Sequence, residues 1–310
     1  MLENIKTSLG ILKFYLCRIP YYNFLLVFKL TFVSLINIWT NNKYIIEKHD
    51  IILKYLLKRY NSLINEYIEP TPKTNSKRMI WVFWWQGYDA MPVLCKKCFQ
   101  SLCKHKNEAD IIFIDSTNYM DYVSIPAEIL RKVEENKISV THLSDIVRCK
   151  LLSIYGGLWV DSTLFFVQDI PSTWFELPFF SVKSNCKTNE FVSQNQWSTF
   201  FMGSNGSSSF FFKLSKLMTE YALKEKIFLD YLTMDYFMAI LFAQDCYREE
   251  MKNLPLSNPD IHKLRLILFE SFNQSEFEKL TNRNVCFKLT YKFDRAINSS
   301  DTYYNHLIDN

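Results

Sequence analysis

With 310 residues, 48% apolar and 22% charged, the chain is long enough to bury a large core and falls outside the disordered class. A net charge of +4, from 36 basic and 32 acidic residues, is too mild for a nucleic-acid binder and leaves a weak attraction to an anionic membrane surface. Eight scattered cysteines suit a reducing compartment. Residues 1–68, rich in Leu, Ile, Tyr and Lys with one glycine and one proline, read as helices. Within them Ile19–Trp39 is apolar and long enough to span a bilayer, but Lys29 at its centre makes insertion costly. No small-residue cleavage site follows, so the segment is expected to be an amphipathic or buried helix that touches a membrane surface, with a true span as the alternative, and not a signal peptide.

Residues 69–77, EPTPKTNSK, read as a linker, which places a main domain at 78–310 behind an N-terminal helical region at 1–68. An apolar strand is expected at Ile80–Trp85, with Trp81 and Trp85 on one face and Trp84 on the other. A helix follows over Met91–Lys104. Its Cys95, Cys98 and Cys103, with His105, lack a second knuckle, so buried thiols are expected there instead of a zinc site. Next come a strand (Ala109–Asp115), a helix opened by Pro126 (Ile125–Asn136), a helix (Thr141–Tyr155) and a strand (Leu158–Asp161). Residues 208–250 look mostly helical, and Val285–Lys292 reads as a strand or loop returning to the site. This βαβ rhythm predicts a mainly parallel sheet.

The segment Ser144–Thr163, SDIVRCKLLSIYGGLWVDST, carries the most information. Asp145 and Arg148 share one helix face, Gly156 and Gly157 stop the helix, and Asp161 emerges at the carboxyl end of a buried strand. Ligands of open α/β sheets bind at that edge, and a carboxylate backed by an Asp/Arg pair suits a metal–diphosphate site. Blander readings stand beside this one: a helix-surface ion pair, a turn aspartate, and Trp84 as core. Lys288, Thr290 and Lys292 alternate and so face one way, either toward a diphosphate or as lysines on a solvated edge. Asp230 and Asp235 lie on a helical stretch where neither can be assigned.

This ordered set resembles glycosyltransferase family 32 and, more closely, the bacterial capsular polysaccharide synthesis proteins. The matching features are Ser-Asp-x-x-Arg (144–148), the Leu151–Leu152 pair, Tyr155-Gly156-Gly157, Trp159 and Asp161. Flanking pieces are IWVFWWQG (80–87), Met91-Pro92, TFFMGSN (199–205), LDYLTMDYFMAI (229–240) and FKLTYK (287–292), so the resemblance covers residues 78–292. It implies a GT-A-like three-layer α/β domain that binds a nucleoside diphosphate sugar. Uracil would stack on Trp84 beside Gln86 and Gly87. Asp145 would contact ribose or donor sugar, Arg148 the donor sugar or phosphates, and Lys288, Thr290 and Lys292 would close over the diphosphate. Asp161 would hold Mn²⁺ or Mg²⁺. The family's second aspartate is replaced by Thr163, which would bind through its hydroxyl or a water. The implied reaction is a retaining hexosyl transfer to a glycan acceptor, lipid-linked if the N-terminal region sits on a membrane, at the cytoplasmic face of the plasma membrane. A toxin-like transferase acting on protein, and a non-catalytic glycan-assembly scaffold, stay open.

Overall fold

The computed structural model describes residues 2–68, 77–183, 188–293 and 301–309. Residues 69–76, most of the expected linker, lie outside the described residues. The N-terminal region forms three helices: α1 (Leu2–Leu16), α2 (Phe24–Trp39) and α3 (Ile45–Ile64). The turn containing Pro20 divides the apolar run, and the Asn23 side chain restarts the helix by accepting from the Leu25 and Leu26 amides. The 16 residues left in α2 span about 24 Å, short of a hydrocarbon core. No helix among the described residues is long and apolar enough to cross a membrane.

Spacing of three and four sorts the faces of α2. Val27, Leu30, Ser34 and Asn37 are buried, while Phe24, Phe28 and Phe32 stack in a row on the outside at centroid separations of 6.2 and 6.4 Å. These three rings and Trp39 are 56–64% exposed. On α1, Ile5, Leu9, Leu12 and Leu16 form a second exposed apolar row.

The remaining elements are β1 (Met79–Phe83), α4 (Val93–His105), β2 (Asp110–Ile114), α5 (Ala127–Glu134), α6 (Val140–Ile154), β3 (Gly157–Val160), β4 (Leu164–Phe166), β5 (Phe180–Ser181), β6 (Phe201–Ser204), α7 (Phe210–Lys224), α8 (Thr233–Phe242), α9 (Asp245–Lys252), α10 (Lys263–Leu266), α11 (Gln274–Arg283), β7 (Cys286–Lys288) and α12 (Tyr303–Asp309). The central sheet has the order β2-β1-β3-β6-β5. β1 pairs in parallel with β2 and β3, but β6 pairs antiparallel with both β3 and β5. The sheet is therefore mixed, not mainly parallel. Among the described residues no α-helix stands between β3 and β6 to carry the chain back across the sheet, and a parallel pairing needs such a crossover.

Alternation assigns the two sheet faces. Trp81, Phe83, Trp159 and Met202 pack with α6, α7 and α8, while Ile80, Val82, Leu158, Val160 and Phe201 pack toward α4, β4 and β7. That makes three layers. Tyr15, Leu30, Ile52, Leu56 and Tyr60 of the N-terminal helices join the first of these cores. Polar ties reinforce the junction. Tyr55, Arg59 and Tyr60 all reach Glu225 at 2.8–3.2 Å, and Lys48 pairs with Asp230 at 2.9 Å. Glycine is required where α6 hands over to β3. Gly157 sits at φ +84°, and a Cβ there would lie 2.4 Å from the Met79 carbonyl oxygen.

Cys95 and Cys98 are buried thiols on α4, whereas Cys103, expected to be buried with them, lies on the exposed face of the helix, and His105 pairs with Asp169 at 3.0 Å. No cluster of His, Cys, Asp and Glu suited to a metal occurs among the described residues.

Candidate functional site

The parallel strands β1 and β3 end side by side. β1 runs out into Trp84 and Trp85, whose backbone is clamped to the end of β2: Trp84 N donates to Ile114 O, and Ser116 N donates to Trp85 O, each at 3.0 Å. Gly87 N closes the turn onto Trp84 O. β3 runs out into Asp161, whose amide donates to Phe200 O at 2.9 Å. The glycine turn reverses the chain, so α6 runs antiparallel to β3. Its early turns, bearing Thr141, Ser144, Asp145 and Arg148, lie over this same edge.

A cleft of about 540 Å³ opens there. Of the residues expected from sequence, Trp84, Gln86, Arg148, Asp161, Thr163, Lys288, Thr290 and Lys292 line it. Asp145 lines a smaller adjoining recess, which also takes in Arg148, Asp161, Tyr231 and Asp235. Gly87 shapes the turn and does not line the cleft. A separate cavity of about 330 Å³ beside α4, α11 and β4 shares no residue with the cleft and gathers none of these groups.

Arg148 is the hub. Its guanidinium contacts Asp145 at 3.2 Å, Asp161 at 3.5 Å and Ser144 Oγ at 3.4 Å, donates to the Thr199 carbonyl, and lies 4.8 Å above the Trp159 ring. The fork expected to face a phosphate is thus largely turned to protein acceptors. Asp161 is held by three donors. Trp159 Nε1 meets Oδ1 at 2.9 Å beside Arg148, and Lys288 Nζ meets Oδ2 at 2.7 Å. Burial pushes the Asp161 carboxyl up, but the Lys288 ammonium and the Arg148 guanidinium outweigh it and hold the group below the usual carboxylate range. In the recess burial wins. Asp145 is pushed up to about 7 against the pull of Arg148, and Asp235 to about 6 against a hydrogen bond from Trp197 Nε1. Asp230 points away, to Lys48.

Lys288 is delivered by a long-range pairing. β7 lies antiparallel to β4 with Lys288 opposite Leu164, and Leu289 N donates to Thr163 O at 2.9 Å. The Lys288 ammonium thereby sits 2.7 Å from both Asp161 Oδ2 and Thr163 Oγ1. These are the two atoms expected to share a divalent cation, and they share a lysine. The residues present do not fit a resident metal ion. The second Asp161 oxygen is also taken, and no further carboxylate completes a cluster among the described residues.

Trp84 is half-buried in the cleft wall, met edge-on by Tyr291 at 5.5 Å, with its Nε1 buried and without a hydrogen-bond partner. Tyr231, Tyr291 and Arg265 also line the cleft and were not singled out from sequence. Tyr231 falls in a recognised segment, but no motif marks Arg265.

Two comparisons bear on this arrangement. The family described as capsular polysaccharide synthesis protein matches residues 33–307. A segment of 120 residues is 28% identical to a protein of Phomopsis amygdali named O-glycosyltransferase PaGT, covering 36% of this chain and 29% of that protein.

Proposed function

The chain belongs to the capsular polysaccharide synthesis protein family, and from that premise we propose that it is a glycosyltransferase of GT-A-like design acting in capsular or surface polysaccharide synthesis. The observation that carries the reading is the gathering of residues from 84 to 292 into one cleft at the carboxyl ends of β1 and β3. Its volume suits a small ligand, and the cationic groups Arg148, Arg265, Lys288 and Lys292 converge on it. The name of the matched relative points to the same transfer, onto oxygen.

In this reading the donor is a nucleoside diphosphate sugar. Trp84 takes the base, a uracil, beside Gln86 and the turn at Gly87. Lys288, Thr290, Lys292 and Arg265 surround the diphosphate. The sugar reaches the recess walled by Asp145, Asp235 and Tyr231. The transfer is retaining and moves a hexose. The anomeric carbon's bond to the diphosphate breaks, its bond to the acceptor oxygen forms, and the departing phosphate oxygen takes the acceptor's proton. Donor hydrolysis and transfer across a panel of nucleotide sugars test this. One donor is expected to turn over, and Trp84→Ala to raise its KM about tenfold, as loss of a stacked base would. Failure of every donor to bind would overturn the reading.

The acceptor is a lipid-linked glycan at a membrane surface on which α1 and α2 rest. Their exposed apolar rows are flanked by Lys6, Lys13 and Lys29 against the single acid Glu3, the charge balance an anionic lipid surface attracts. Flotation with vesicles containing phosphatidylglycerol is expected to carry the protein up. Phe24→Ser with Phe28→Ser and Phe32→Ser is expected to leave it at the bottom at unchanged Tm. Unaltered flotation of the triple variant would overturn the membrane reading, as would dimerisation that the same changes abolish.

A further inference from the structure

We infer that Lys288 stands in for the metal: its ammonium neutralises the departing diphosphate, and the transfer runs without a divalent cation. The inference rests on the glycosyltransferase reading above and concerns how the site handles charge.

Three observations carry it. First, the ammonium occupies the cation position, 2.7 Å from Asp161 Oδ2 and 2.7 Å from Thr163 Oγ1. A magnesium ion is held at about 2.1 Å by one or two carboxylates completed by waters and substrate phosphates, and the two oxygens that would start such a set already hold the ammonium. Second, the charge is already present. One ionised carboxylate, Asp161, is flanked by Arg148 and Lys288, and Lys292 and Arg265 line the same cleft. A divalent ion would have to displace Lys288 into a wall that is already cationic, whereas a diphosphate complements that wall as it stands. Third, the lysine is built in. Its amide donates to Ile261 O at 2.8 Å, its neighbour Leu289 is pinned to Thr163, and its ammonium lies 5.0 Å from the Phe200 ring. A side chain only 18% exposed and anchored on a paired strand is positioned before the donor arrives.

An ammonium has three N–H donors. Two face Asp161 and Thr163, which leaves one for a phosphate oxygen. Lys288 keeps its proton throughout the step. It gains a stronger hydrogen bond as negative charge builds on the leaving oxygen, and it neither forms nor breaks a covalent bond.

The test compares donor turnover by the full chain after exhaustive chelation with turnover in MnCl₂ or MgCl₂, together with Mn²⁺ binding followed by electron paramagnetic resonance in the presence of UDP. The expected result is equal turnover under chelation and with metal, and a free-Mn²⁺ spectrum that the protein does not diminish. Lys288→Ala is expected to lower kcat about 100- to 1,000-fold, the cost of removing one oriented donor from a developing oxyanion. Lys288→Arg, which keeps the charge, should retain most of the activity, and matched Tm values exclude a folding defect. Turnover seen only with Mn²⁺ would overturn the inference and leave the glycosyltransferase reading standing, and Lys288→Ala within tenfold of wild type would do the same. If no donor turns over under either condition, the enzymatic reading fails. The resonance titration still decides the cation question, because Mn²⁺ held by the wild-type protein overturns the claim and its exclusion supports it.

Discussion

Arg148→Met is expected to cost about 3–5 kcal/mol of folding stability, the range for breaking a buried pair by removing one partner. Arg148 is 5% exposed and Asp145 7%, so the substitution strands a carboxylate in the core and leaves the Thr199 carbonyl without its donor. Typical domains hold only about 5–15 kcal/mol in all, so the variant should melt roughly 10 °C lower or fail to accumulate. Burial already pushes the Asp145 carboxyl up to about 7, and losing Arg148 pushes it further. A carboxyl raised above its unfolded value favours the folded state while it is protonated and opposes it as pH rises through the shifted pKa. The deficit of the variant should therefore widen as pH rises above 7, where the wild-type carboxyl ionises beside Arg148 and the stranded one stays protonated. Converting Asp145 to Leu in the same molecule should recover much of the loss, since an apolar pair can replace a buried ionic one. Thermal melts of the single and double variants across that range decide the matter, and a single variant as stable as wild type would show that Arg148 is not the hub described.

Gly157→Ala is expected to be comparably severe by a different route. The φ of +84° alone costs an L-residue about 1–2 kcal/mol. The added Cβ would meet the Met79 carbonyl oxygen at 2.4 Å and Met79 Cβ at 3.2 Å. Backbone facing backbone cannot rotate away, so β3 must move off β1, breaking the register of Ile80 with Leu158 and Trp81 with Trp159. Any protein that still folds would carry Asp161 away from Trp84 and lose turnover with it. Gly10→Ala is the control. Nothing lies within 4 Å of its Cβ position in α1, and an alanine there should stabilise the helix by about 0.5–1 kcal/mol. Equal solubility and melting of the two variants would refute the strain argument.

Strands were legible in this sequence where their apolar runs were long enough to show a period. β1, β2 and β3 fall within a residue or two of their expected bounds, as do α4, α5 and α6. β4, β5 and β7 hold only two or three residues, too few for any period, and their existence depends on distant pairing. The direction of β6 was illegible for the same reason. Within the site, the spacing of Asp145 and Arg148 announced their contact. That Lys288, Thr290 and Lys292 share a face was also readable, but what Lys288 touches was not, because its partner lies 127 residues earlier in the chain. Asp230 and Asp235 looked equivalent. Only tertiary packing sends one to Lys48 and the other to Trp197. Trp84 was expected at a strand end and lies just beyond one, where the backbone turns and its ring is freed from the core.

The β4–β7 pairing also bears on how the molecule comes apart. It is a ladder of three residue pairs outside the main sheet, and with the backbone bonds from Lys288 to Ile261 and from Leu289 to Thr163 it brings the ammonium to Asp161. Phe287 and Leu289 seat β7 in a small apolar cluster separate from the main core, and such a satellite unit opens at lower free energy than the core it leans on. Fraying of β7 would leave the five-stranded sheet and its helices intact while the cleft lost its floor. Mild denaturant should then silence such a molecule well before its helical signal fades. A chain emerging from the ribosome would pass through the same state in reverse, folded across its first strands yet inert until residue 288 arrives.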